Sequence, residues 1–126
     1  MAKQPIHTDG APAALGPYSQ AIRAGKTVYL SGQLGLDPAT GDLRTSIEMQ
    51  IDQAFLNLRA VAKAADGSFD DAVKLTLFLT DLTHFAKVND TMKRYFHEPF
   101  PARSTVQVAA LPKGAEFEVE AVLVLP

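Results

Sequence analysis

The chain has 126 residues, 47% hydrophobic and 21% charged, which suits one folded domain over residues 1–126 and excludes a disordered polymer. Its net charge of −2 supplies no basic field for a nucleic-acid backbone. With no cysteine, it has no disulfide, thiolate nucleophile or zinc–thiolate site.

Met1–Pro17, with three prolines and two glycines, is expected to be an extended or loop arm. Ser19–Ala24 and Thr27–Ser31 flank Ala24-Gly25-Lys26, and a β-hairpin is expected there. Val28 and Leu30 would share one face and Tyr29 the other. Gly32–Arg44 contains Asp37-Pro38-Ala39-Thr40-Gly41 and should be a loop. A helix should start at Thr45, with Thr45 and Glu48 as a capping box. Ile47, Ile51, Ala54, Phe55, Leu58, Val61 and Ala62 form its apolar stripe, and Asp66-Gly67 should stop it.

Ala72–Thr80 alternates Val73, Leu75, Leu77 and Leu79 with Lys74, Thr76, Phe78 and Thr80, which predicts a strand. Asp81 or Thr83 should cap a second helix with Leu82, Phe85, Val88, Met92 and Phe96 as its stripe, ended by Pro99 and Pro101. Two strands follow, Arg103–Ala109 and Glu116–Val124, joined through the turn Leu111-Pro112-Lys113-Gly114. The expected order is ββαβαββ, an α+β fold with two helices on one face of a mixed sheet. The last strand is apolar on both sides: Phe117, Ala121 and Leu123 on one, Val122 and Val124 on the other. Its second face is expected to be buried against other subunits, or else covered by a loop or the N-terminal arm. No segment has the form of a signal peptide, and no apolar run approaches the ~18 residues of a membrane span. A cytoplasmic location is therefore expected.

Phe100-Pro101-Ala102-Arg103-Ser104-Thr105 carries the most chemistry. Two prolines stiffen the approach to Arg103, whose planar donor fork matches a carboxylate at two points. From the sequence alone, a surface pairing of Arg103 with a glutamate stays equally open. Glu118 and Glu120 share one side of the last strand, where burial demands a partner or a function. Through a tight turn, one of them could sit opposite or diagonal to Arg103; a solvated edge or structural ion pair is the alternative. Gly16-Pro17-Tyr18-Ser19 and Ser31-Gly32-Gln33 are weaker signals. His7, His84 and His97 are scattered, so no metal is assigned, and no phosphate loop or serine-hydrolase elbow is present.

In order, Leu15-Gly16-Pro17-Tyr18-Ser19-Gln20, Tyr29-Leu30-Ser31-Gly32-Gln33, Asp37-Pro38-Ala39-Thr40-Gly41 and Val88-Asn89 resemble the Rid/YjgF family of imine deaminases. Pro101-Ala102-Arg103-Ser104, Leu111-Pro112-Lys113 and Glu118-Val119-Glu120-Ala121 extend the resemblance over nearly the whole chain. The resemblance implies a chorismate-mutase-like homotrimer with clefts between subunits. It implies hydrolysis of 2-imino or enamine acids, such as 2-iminobutanoate and 2-iminopropanoate, to 2-keto acids and ammonia, with no cofactor. Arg103 matches the arginine that grips the substrate carboxylate, and Glu118 the glutamate thought to position or activate water. Tyr18 is counted with them as catalytic. Ser31, Gly32, Asn89 and Phe85 match residues lining the cleft. Thr105 stands where many members have cysteine; its hydroxyl can still donate a hydrogen bond, but thiol redox chemistry is excluded. Other members imply alternatives: a deaminase for aminoacrylate or aminomuconate-type acids, a non-catalytic small-acid-binding trimer, or an RNA-acting translation inhibitor.

Overall fold

A computed structural model describes residues 2–126; Met1, the first residue of the expected arm, lies outside them. The elements are β1 (Gln4–Ile6), β2 (Ala21–Ala24), β3 (Thr27–Leu34), α1 (Ile47–Ala64), β4 (Ala72–Leu79), α2 (Phe85–Tyr95), β5 (Ala102–Gln107) and β6 (Phe117–Val124). The strands form one mixed sheet in the order β1-β2-β3-β6-β4-β5. Both helices pack on one face, as expected for the α+β class. Every neighbouring pair is antiparallel except β4 and β5, which α2 joins in parallel as a crossover.

The core follows the two periodicities. On α1, Ile51, Ala54, Phe55, Leu58, Val61 and Ala62 are fully buried. They meet Leu75, Leu77 and Leu79 of β4 and Phe117, Val119 and Leu123 of β6, all at 0% exposure. Each such large side chain contributes about 1.5–3 kcal/mol by leaving water. Phe55 sits at the centre, 5.8 Å from the ring of Tyr95, 5.9 Å from Phe96 and 5.7 Å from Phe117. Tyr95 also donates to Asp52 of α1 at 2.6 Å, so α2 is braced to α1 by a ring stack and a hydrogen bond.

Several expectations fail locally. The N-terminal arm is extended as expected, but Gln4–Ile6 pairs with β2 and adds one strand to the expected order. The buried Gln20 side chain anchors the rest: it accepts from the Thr8 amide at 2.7 Å and donates to the carbonyls of Thr8 and Pro12. Strand β3 runs on to Leu34 through an irregularity between Leu30 and Gln33, where a loop was expected. Helix α1 is capped by Ser46, whose hydroxyl accepts from the Met49 amide, rather than by a Thr45 box. At its other end Asp66, not Gly67, takes the left-handed backbone, with φ 64°. Val73 leaves the apolar row of β4 because the pairing slips between Ala72 and Lys74. Leu82 and Phe85 are exposed, since a 3-10 turn over Leu82–His84 precedes α2 and turns them away from the core. Finally, β5 and β6 do not pair: β6 inserts between β3 and β4, and β5 lies outside β4.

The sheet face away from the helices carries Tyr29, Phe78, Val106, Val122 and Val124. Tyr29 is 55% exposed, Val124 45% and Val106 41%. Gln4–Ile6 of the N-terminal arm joins the sheet edge as β1, and Pro12, Ala13 and Leu15 lie beside Glu118 and Glu120 on this face, so the arm leaves Tyr29, Val106 and Val124 exposed.

A polar ladder interrupts the buried stripe of α1. Asn57 donates to the carbonyls of Leu34 and Leu36 and accepts from Gln53 at 2.8 Å. Gln53 in turn accepts from Arg44, and Gln50 accepts from the Glu116 amide. These bonds hold the loop after β3, whose Gly35 lies too close to the backbone of Gln50 for any side chain. Asn57→Ala would strand two buried carbonyls. Each unpaired group costs about 1–3 kcal/mol, so a loss of roughly 2–6 kcal/mol is expected, read as a lower urea midpoint.

Candidate functional site

Each half of the site rests on a different face of the sheet. Arg103 pairs in register with the core residue Leu75 and so points to the helix side, at the outer edge of β5. Its Nη1 donates to Oδ1 of Asn89 at 2.6 Å and lies 3.4 Å from the sulfur of Met92. Its guanidinium carbon stands 5.0 Å from the centre of the Phe85 ring, a cation–π distance. Three residues of one face of α2 thus hold Arg103, and the remaining edge of its fork, Nε and Nη2, has no partner among the described residues. A pocket of about 360 Å³ opens beside it, lined by Asn89, Met92, Lys93, Phe100, Pro101 and Arg103. Thr105, paired with Leu77, is half-buried on this same face.

The other half lies on the open face. Glu118 pairs with Phe78 of β4 and Leu34 of β3, and Glu120 with Thr76, so both carboxylates point away from the helices. They line a cleft of about 800 Å³ together with Tyr18, Ser31, Gly32 and Lys113. The hydroxyl of Ser31 donates to the Ser19 carbonyl at 2.6 Å, tying the Tyr18 loop to β3. Tyr18 is 55% exposed at the cleft. Partial burial pushes the Glu118 carboxyl above its ordinary pKa, and the neighbouring charge of Glu120 adds to the rise.

Tyr18, Ser31, Gly32 and Glu118 therefore come together, as do Arg103, Asn89 and Phe85, but the two sets do not meet within one chain. The expected placement of Glu118 or Glu120 beside Arg103 across a hairpin is wrong, because β4 separates their strands. Asn89 and Phe85 touch the arginine itself. Met92 and Phe100, which the residue patterns did not single out for the site, complete the Arg103 pocket. The polar Gln53 and Asn57 support the cleft from behind through the loop at 35–44, and Gln50 holds Glu116 at the head of β6; their signal was a polar residue at each turn of an apolar stripe.

A family model described as Endoribonuclease L-PSP matches residues 8–125. The crystal structure of RidA from the Antarctic bacterium Psychrobacter sp. is 52% identical, with a TM-score of 0.95 over 97% of this chain and 99% of that one. The chain belongs to the Rid/YjgF family. Among relatives in the family, the 2-iminobutanoate/2-iminopropanoate deaminase of Bos taurus is 47% identical over 98% of this chain and 91% of that protein. The structure of Escherichia coli TdcF with bound serine is 40% identical, with a TM-score of 0.93 over 98% of this chain and 99% of its own. Among the described residues, no helix is long and apolar enough to cross a membrane.

Proposed function

We propose that this protein hydrolyses small 2-imino acids and their enamine tautomers to 2-keto acids and ammonia, working as a homotrimer whose sites lie between subunits. One observation carries the arrangement: the free fork of Arg103 and the half-buried Glu118 face opposite sides of the same sheet. One chain cannot bring both to one substrate. A neighbouring copy can, and the apolar open face around Tyr29, Val122 and Val124 is a surface suited to such a neighbour.

In this reading Arg103 receives the substrate carboxylate on Nε and Nη2, while Asn89 and Phe85 keep the fork from turning. That fixes the adjacent C=N carbon against the Glu118 of the second subunit. Glu118 takes a proton from water as the oxygen adds to carbon and the C=N electron pair moves to nitrogen. It returns that proton to nitrogen to give a carbinolamine, then takes the carbinolamine hydroxyl proton and passes it to nitrogen as the carbonyl forms and the C–N bond breaks, so that ammonia leaves. A carboxyl with a raised pKa suits both transfers. Tyr18, Ser31 and Thr105 would line the substrate, while Gly32 lines the cleft beside Glu118.

The test generates 2-iminobutanoate from threonine with a dehydratase and follows keto-acid release. Added protein should speed that release; no acceleration over the uncatalysed reaction would sink the proposal. Val122→Asp should dissociate the trimer in sedimentation equilibrium and abolish turnover with it, because a charge would replace an apolar contact at the seam. The description of the family model raises RNA cleavage as a second reading. Against it stand the two carboxylates of the cleft, where Lys113 is the one cation among the lining residues.

A further inference from the structure

Glu118 has no hydrogen-bond partner among the described residues, yet its carboxyl occupies a defined place. What lies against it is Gly32. A Cβ built at Gly32 would stand 2.7 Å from Oε2, 2.8 Å from Cδ and 3.1 Å from Cγ of Glu118. Real Cβ atoms do not approach so closely, so the acid fills the space that a side chain on Gly32 would take. The gap arises where β3 departs from regular pairing with β6, between Leu30 and Gln33. Such an irregularity re-aims side chains locally. The preceding residue is fixed from the other direction, since the hydroxyl of Ser31 is tied to the Ser19 carbonyl and its amide to the Gln20 carbonyl.

Resting on the imine-hydrolysis proposal, we infer that Gly32 is a positioning residue for that reaction: its missing side chain, in the β3 irregularity, is the seat that aims the Glu118 carboxyl at the attacking water. The assignment differs from a lining role, in which Gly32 would touch substrate. The backbone of Gly32 does not have the left-handed φ that demands glycine, so alanine fits the chain there. The atoms it would strike belong to the far end of a flexible side chain. Gly32→Ala should therefore leave the fold in place and displace the carboxyl.

The experiment compares wild type, Gly32→Ala, Glu118→Asp and the double variant in the 2-iminobutanoate assay. It also titrates the Glu118 carboxyl by carbon-13 NMR in wild type and Gly32→Ala. Proton transfer contributes about 10²–10⁴ in rate, so Gly32→Ala is expected to lose roughly 10- to 1000-fold in kcat. KM should change little, because the carboxylate anchor is elsewhere. The shorter aspartate withdraws from the new methyl, so the double variant should lose less than the product of the two single losses. In the titration, the carboxyl should fall toward the ordinary glutamate value once it is driven from its seat. Unchanged kcat in Gly32→Ala, strictly multiplicative losses, or an unmoved titration would overturn the inference. Should wild type show no turnover, the functional proposal fails, while the titration still decides whether Gly32 seats the acid.

Discussion

Arg103→Ala is expected to lose about 10²–10⁴ in kcat/KM for 2-iminobutanoate while the protein stays folded and assembled. The free Nε and Nη2 can make two charge-assisted hydrogen bonds to a carboxylate, each contributing roughly 1.5–3 kcal/mol. About 1.4 kcal/mol is a factor of ten in rate. The side chain sits at the outer edge of β5 and is only half-buried, so its removal opens no core cavity. Arg103→Lys separates charge from shape. Lysine keeps the cation but cannot bond Asn89 and grip a carboxylate at two points together. It should recover only a small part of the loss, chiefly in KM. The measurement is steady-state turnover in the coupled assay beside sedimentation of each variant. Full activity in Arg103→Ala would remove the carboxylate anchor. Lost activity with a dissociated or unfolded protein would make Arg103 structural.

The same residue shows where the sequence was legible. Its type, its proline mounting and its place at the head of a strand are local properties, and they survive in the structure. So do the apolar stripe of α1, the alternation of β6 and the doubly apolar character of that strand. Each is imposed by a period of 3.6 or 2 and needs no knowledge of distant contacts. The neighbours of Arg103 were not legible. The turn at Leu111–Gly114 resembles a hairpin connection, but β6 gains more by burying Phe117, Val119 and Leu123 between β3 and β4 than by pairing with the exposed β5. That choice is non-local, and it puts β4 between Arg103 and Glu118. Val73 misleads for a related reason: its alternation is regular in sequence, and only the pairing slip against β6 turns it outward. Ser46 displaced Thr45 as the helix cap because adjacent hydroxyl residues offer the same chemistry one position apart.

Glu118→Gln tests the chemistry most directly, because it keeps the shape and removes the titrating proton. A fall of about 10²–10⁴ in kcat is expected, with KM for the imino acid nearly unchanged. The wild-type rate should decline on the acid side as Glu118 is protonated. Because its pKa is raised, that decline should lie at higher pH than an ordinary glutamate would give, and it should vanish in Glu118→Gln. Burial is the larger cause of the rise and the Glu120 charge the smaller. Glu120→Gln should therefore move the acid limb only part of the way down. Stability has the opposite sign to activity. A carboxyl whose pKa is higher in the folded state contributes stability below its ordinary value and loses it as pH rises through the raised one. Above that raised value the contribution is gone and the half-buried charge is a burden on the fold. Glu118→Gln should consequently unfold at the same urea midpoint as wild type or a higher one. A variant both inactive and less stable would place Glu118 among the structural residues. One with an unchanged acid limb would assign the catalytic proton to another group.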